Sequence, residues 1–327
     1  MIRFRDGLLA LGVAASVLAW AASASATDDY PNRPIKLVIP SAAGGPTDLP
    51  ARLASQILTA RLGQPVVVEN RPGAGGAIGA RAVATAPPDG YTLLVGNTST
   101  LAVIPAVSTA AGYDPVKDFV PIVRMTEGFQ ILIVRADAPW KTAKELIDDS
   151  KANPTRINYA HTGPGGLPHL AGEVFMLRSG AKLNSVPYRG GGESLNAVLT
   201  GAVHATFENI AILRGQITEG KVRALGVQNR TRTPLLPEIP TMTEVGVPDA
   251  EANTFFGLVA PAGTPQSVID RISKAINEGL ATPETQRMIT NLGSQAQPNT
   301  PAEFAAYIAA QHKKWREVGK AANVVLN

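Results

Sequence analysis

Two stretches of this chain repeat one local plan, and that plan limits the fold more than any other feature. In the first, the apolar run Ile35-Lys36-Leu37-Val38-Ile39 breaks into the loop Pro40 to Pro46. It restarts as a helical pattern with Leu53, Ile57, Leu58 and Leu62 on one face. In the second, Ile157-Asn158-Tyr159-Ala160 runs into a glycine loop, Thr162 to Gly166, and then a helical segment through Phe175. A strand that turns through glycines into a helix leaves the first N–H groups of that helix without intrahelical partners. With the positive end of the helix dipole, those donors attract anions. The chain contains neither G-x-x-x-x-G-K-[ST] nor G-x-G-x-x-G, so the anion is not read as a nucleotide phosphate.

Short apolar runs at 35–39, 65–70, 91–96, 131–135, 157–160, 183–188, 203–207 and 222–227 alternate with helical segments. This order predicts an α/β fold with mainly parallel sheets flanked by helices. Thr142 to Glu145 and Thr300 to Glu303 have the spacing of capping boxes, with Pro301 at a first helical position. In doubly wound sheets, ligands sit at the carboxyl ends of strands, where both glycine loops lie. Two such loops facing each other across a cleft suit a carboxylate held by backbone donors, with no counter-charge needed.

Residues 1–26 have a short basic start (Arg3, Arg5), an apolar stretch from Gly7 to Ala21, and A-x-A sites ending at Ala24 and Ala26. This is the pattern of a secretory signal peptide cleaved near Ala26, and it is shorter than the ~20 apolar residues a membrane span needs. Removing it takes 30 basic and 26 acidic residues to 28 and 25, a formal excess of three. Such a mild balance, with no basic cluster, argues against nucleic acid. With no cysteine in the chain, disulfides, thiol catalysis and Cys-ligated zinc are excluded together, which suits a bacterial periplasm. About 300 remaining residues predict two domains.

The ordered stretches "YPNRPIKLVIPSAAGGPTDLPAR", "VVVENRPGAGGAIGARAVATAPPDGYTLLVG", "YDPVKDFVPI", "GGLPHLAGEVF", "VPYRGGGESLNAVLTGAV" and "LPEIPTMTEVGVP" followed by "FGLVAPAGTP" run through nearly all of the mature chain. Together they resemble the solute receptors of tripartite tricarboxylate transporters, the Bug family. The resemblance implies a two-lobed, Venus-flytrap periplasmic binding protein with two crossing strands as hinge. It places lobe one at 27–127 plus 254–327 and lobe two at 128–253, with crossings near Gln130-Ile131 and Phe256-Gly257. It implies a small organic carboxylate as ligand, delivered to small and large membrane subunits by a monomeric receptor without cofactor, metal or catalysis. Carried over by position, the first loop contributes Ser41, Ala43, Gly44, Gly45, Thr47 and Asp48, and the second Thr162, Gly163, Gly165 and Gly166. Further cleft positions fall at Gly96, Asn97, Thr98 and Ser99, at Tyr188 and Gly190, and at Glu208 and Asn209. Two departures bear on the ligand. Ser41 stands where the family commonly has an aromatic, and Asn209 follows Glu208 where relatives often carry an acid.

Several residues admit a plainer role. Thr47 and Asp48 are ordinary helix caps, and Asp48 suits bracing the loop better than facing an anion. His169 and Glu173 are four apart on one helix face, a metal-compatible spacing, yet no third ligand and no H-E-x-x-H accompany them. Hydrogen-bonded roles are therefore expected for His161 and His169. Arg71 and Arg189 are expected in solvent. An exported enzyme of hydrolase type using the same cleft stays open, although no G-x-S-x-G is present, as does a ligand-presenting sensor component.

Overall fold

The computed structural model describes residues 30–43, 47–108, 110–163 and 165–321. The signal segment, and Gly44 and Gly45 of the first loop, lie outside the described residues. The chain opens with β1 (Ile35–Ile39), α1 (Asp48–Leu62), β2 (Val66–Asn70), α2 (Ala77–Ala84) and β3 (Thr92–Asn97). A π-helical turn over Ser99–Val103 leads into the short α3 (Ile104–Val107), and then β4 (Phe119–Gly128) follows. Next come β5 (Gln130–Arg135), α4 (Ala143–Ala152), β6 (Ile157–His161), α5 (Leu167–Ser179), β7 (Leu183–Pro187), α6 (Gly191–Leu199), β8 (Ala205–Asn209), α7 (Ile210–Thr218) and β9 (Val222–Val227). The chain ends with β10 (Thr254–Pro261), α8 (Gln266–Leu280), α9 (Pro283–Asn291), β11 (Ser294–Ala296) and α10 (Pro301–Ala321).

The strands form two sheets, ordered β11-β4-β10-β3-β1-β2 and β7-β6-β8-β5-β9. Each is mixed rather than mainly parallel. β1 pairs parallel with β2 and β3, and β6 with β7 and β8, as strand-helix-strand crossovers require. β4, β5 and β10, which carry the chain between sheets, pair antiparallel with their neighbours. The passage from the first sheet to the second takes one residue, Phe129, between Gly128 and Gln130. The return enters at Thr254, paired with Gly128, so Phe256-Gly257 already lies inside β10. Gln228 N–H donates to Gln130 O (2.8 Å) and Ala252 N–H to Gln228 O (2.9 Å), so the outgoing and returning segments are bonded side by side.

Local chemistry explains the helix ends. Thr142 Oγ1 accepts the Glu145 N–H and Glu145 Oε2 accepts the Lys141 N–H, which anchors α4. Thr300 and Glu303 form the reciprocal capping box at the start of α10. The final helix also joins the two halves. Phe304, Ile308, Trp315 and Val318 on α10 belong to one buried cluster with Val38, Leu94 and Phe119 of the first half and Tyr159, Phe175 and Phe207 of the second. Phe304 lies over Gly257, where any Cβ would collide with its ring, and meets Phe255 edge-on at 6.0 Å.

Because Phe304 is fully buried in this shared cluster, Phe304→Ala is expected to cost about 3–5 kcal/mol. Guanidinium unfolding followed by circular dichroism reads this directly. A loss under 1 kcal/mol would mean that Phe304 does not pack α10 onto β10 as described.

Candidate functional site

A cleft of ≈ 1240 Å³ opens where the strands pass between the sheets. Its base is made of strand-end polar residues, Asn97 on β3, Thr126 on β4, Gln130 on β5, Glu208 and Asn209 on β8, with Phe256 of β10. Asn97, Phe256 and Thr126 stand in register across three neighbouring strands, and Gln130 is paired with Asn209.

Four helices begin at the edge of this cleft. Leu49 and Pro50 in the first turn of α1, Leu167 and Pro168 of α5, Gly191 of α6, and Ala211 of α7 all line it. Only α7 has a side-chain cap, the Ala211 N–H to Asn209 Oδ1 bond of 2.9 Å. Those of α1, α5 and α6 have none. Their leading N–H groups and dipole ends make the cleft favourable for negative charge. Arg52 and Arg214 add cationic groups to its wall. Among the described residues no cluster of three or more His, Asp or Glu side chains could hold a metal.

The first loop is braced by side chains. Thr47 is buried, and its Oγ1 accepts Asn97 Nδ2–H at 2.9 Å, while Asn97 Oδ1 accepts the Thr100 N–H at 3.0 Å. Asp48 is held by side chains: its carboxylate accepts from Arg52 Nε (2.8 Å) and Asn70 Nδ2 (3.4 Å), and Asn70 Nδ2 also donates to Ser41 O (3.0 Å). Arg52 therefore reaches the cleft wall already paired.

The second loop is held by two buried histidines. Gly163 N–H donates to His161 Nδ1 (3.1 Å) and Gly165 N–H donates to His169 Nδ1 (3.2 Å). The rings lie with centroids 4.5 Å apart, tilted by 35° to each other. Gly163 and Gly165 have φ of +101° and +74°, which only glycine adopts cheaply. Those two N–H groups are thus hydrogen-bonded to the histidines in this structure. Thr162, Leu167 and Pro168 form the wall here instead. An Nδ1 that accepts an N–H must be unprotonated. Burial lowers both histidines, His169 to about 4 with a further push from His161. Glu173, 3.5 Å from His169 Nε2 and bonded to the Tyr159 hydroxyl (3.1 Å), is raised by burial.

Of the expected site residues, Asn97, Thr98, Ser99, Thr162, Glu208 and Asn209 line the cleft. Ser41, Ala43, Thr47, Asp48, Gly96, Gly163, Gly165, Gly166, Tyr188 and Gly190 are not among its described lining, and Gly44 and Gly45 lie outside the described residues. Gly96 packs against Leu101, Tyr188 N–H donates to His161 O (2.8 Å), and Gly190 O accepts the Ser194 N–H (3.0 Å). Arg71 is exposed and pairs with Glu69. Thr126, Gln130, Arg52 and Arg214 were not foreseen. The available signal was Gln130, a polar residue opening the apolar run Ile131 to Val134.

Residues 51–324 match the sequence profile of the tripartite tricarboxylate transporter family receptor. Protein BugT of Bordetella pertussis is 35% identical over 312 residues, covering 95% of each chain. The periplasmic binding protein BugD superposes with a TM-score of 0.72 at 37% identity, over 90% of this chain and 99% of that one. Rpa4515 of R. palustris, solved with adipate, gives a TM-score of 0.76 at 31% identity, over 91% and 99%. The two sheets and their flanking helices are the fold of these two-lobed binding proteins.

The neutral histidines give a pH prediction. As pH falls below 6.5 the unfolded chain takes up protons that His161 and His169 refuse, so their contribution to stability is lost between about 6.5 and about 4. The raised carboxyls of Glu173 and Glu208 act in the opposite sense, so the effect is read by difference. His169→Asn keeps an oxygen for the Gly165 N–H and does not titrate. Its stability deficit against wild type is expected to shrink across that window in urea unfolding; a deficit independent of pH would exclude the histidine account.

Proposed function

The chain belongs to the tripartite tricarboxylate transporter receptor family, and from that membership we propose that it is a periplasmic receptor for a small organic carboxylate. It is exported by a signal peptide cleaved near Ala26 and acts as a monomer without catalysis. Its lobes are residues 27–127 plus 254–327 and residues 128–253, and they close on the ligand. The loaded receptor docks on the small and large membrane subunits of its transporter. The observation that carries the ligand class is the convergence of four helix N-termini, three without side-chain caps, on one cleft. A carboxylate between them receives backbone hydrogen bonds that need no countercharge. Binding of adipate by a relative that is 31% identical supports a dicarboxylate as a first candidate.

Binding to the folded state alone stabilises it by about 2.7 kcal/mol at a hundredfold excess over Kd. Thermal unfolding of the refolded, ligand-stripped chain against organic acids and their amides therefore separates the readings. A midpoint rise of several degrees with one acid, and none with its amide, is expected. Equal shifts with acid and amide would refute charge recognition by helix ends, and conversion of the acid during incubation would favour an enzyme.

The loop mechanism has its own test. Gly165→Val forces a branched side chain into φ +74° and displaces the start of α5. Affinity for the acid found above is expected to fall at least tenfold, with the circular dichroism spectrum retained. Unchanged affinity would remove the second loop from the binding mechanism.

A further inference from the structure

The cleft is polar at its base and apolar at its lips. Among the described residues eight large apolar side chains are exposed, and four of them, Leu49, Ile212, Met288 and Leu292, line this one opening. Met288 on α9 and Leu292 just beyond its end are four residues apart, and the buried Ile289 between them belongs to the cluster that packs the first sheet. Ile212 is on α7, whose Ile210 and Leu213 belong to a cluster of the second sheet. The two helices meet at one corner. A Cβ on Gly293 would stand 2.9 Å from Ile210 Cγ2 and 3.1 Å from the Ala211 nitrogen. Two lips, one from each sheet, are thus joined at Gly293 and carry exposed apolar side chains at Met288, Leu292 and Ile212.

Covering such side chains over a bound ligand removes apolar surface from water and favours the closed cleft. One of them can be made polar by chemistry. The chain has no cysteine, so its sulfur chemistry rests on five methionines. Met1 lies outside the described residues. Met125 and Met242 are buried, and Met176 is half-buried with its sulfur accepting the Leu183 N–H at 3.3 Å. Met288 is 43% exposed and stands on the lip.

We propose, on the carboxylate-receptor reading, that Met288 is an oxidation site that sets ligand retention: its sulfoxide weakens binding of the acid held below, and reduction restores it. The oxidant is a hydroperoxide. With hydrogen peroxide, the sulfur lone pair attacks one oxygen, and the S–O bond forms as the O–O bond breaks. The departing hydroxide takes the proton left on the transferred oxygen and leaves as water. Sulfur is oxidised by two electrons and the peroxide is reduced by two. Two thiols of a reductase reverse the step, giving thioether, disulfide and water. The sulfoxide puts a strong hydrogen-bond acceptor among apolar neighbours, and closing the lips must then strip it of water.

The test is calorimetric titration of the ligand-stripped protein with adipate, succinate, malate and benzoate, before and after peroxide treatment. Peptide mass spectrometry follows the oxygen gained at each methionine. Met288 is expected to oxidise about tenfold faster than the buried Met125 and Met242, and the Kd of a bound acid to rise about fivefold. Treatment with the two methionine sulfoxide reductases, one for each sulfoxide epimer, is expected to restore the Kd. Met288→Leu keeps an apolar side chain of similar volume and cannot be oxidised there, so its own Kd values before and after peroxide are expected to agree within about twofold. Met288→Gln, polar and of similar length, is expected to bind about fivefold more weakly than wild type with no oxidant present. Full conversion of Met288 with an unchanged Kd would overturn the inference and leave the receptor reading standing. So would an equal loss in wild type and Met288→Leu, which would place the effect at another sulfur, or oxidation of Met288 no faster than of the buried methionines. If none of the four acids binds the folded protein before any oxidant is added, the carboxylate reading fails in that arm and this inference falls with it.

Discussion

The N–H groups of a first helical turn cannot be satisfied within their own helix, and this protein arranges four such turns around one opening. The consequence reaches through the architecture. Each of these helices follows a strand with little intervening chain, so its start is fixed to a sheet end, and the two sheets are set so that those ends meet. Parallel strand-helix-strand units put the helix starts at the carboxyl edge. The antiparallel strands β4, β5 and β10 then join the edges across a one-residue passage at Phe129 and the return at Thr254. A site built this way needs rigid loops more than charged ones, because backbone donors are useful only where the backbone is held.

The loops are held by different means. Asp48, Asn70, Asn97 and Thr47 tie the described ends of the first loop to β2 and β3. The second loop hangs on His161 and His169, a buried pair of neutral rings that accept glycine N–H groups. Removing those donors from the ligand's reach is compatible with the site's chemistry. The helix starts beyond the loop, at Leu167 and Gly191, still supply donors, and the loop acquires one conformation instead of many. A histidine pair in a cleft could be taken for catalysis or metal binding, and its hydrogen bonds show it serving the backbone.

Much of this was legible from residue order. β1 and β9 fall on the runs 35–39 and 222–227, because apolar residues bounded by polar turns leave little freedom. β4 was not legible: Pro121, Arg124 and Glu127 interrupt its apolar pattern, and only pairing with β10 and β11 makes it a strand. β8 was expected at 203–207 and lies at 205–209, since Glu208 and Asn209 look like loop residues until the cleft explains them. The same reason divides the site. Asn97, Thr98, Ser99, Thr162, Glu208 and Asn209 sit at strand ends or helix starts, and it was the family resemblance that pointed to them. Thr126 and Gln130 enter the cleft only through the antiparallel register of the crossing strands, which no local pattern encodes.

Two buried acids near the passage sit in different surroundings. Glu127 is raised by burial, yet Oε1 accepts from Asn253 Nδ2 and Oε2 faces Arg124 at 3.3 Å, while the Arg124 guanidinium lies 4.0 Å over the Tyr307 ring. Tyr307 and Asn253 are themselves bonded (2.9 Å), so a closed network fastens β4 and the returning segment to α10. Such a network fixes geometry because each member would be left unpaired if another moved. Glu208, at the end of β8 in the second sheet, accepts the Asn209 N–H. Both acids are raised by burial, and the fold gives Glu127 more partners than it gives Glu208.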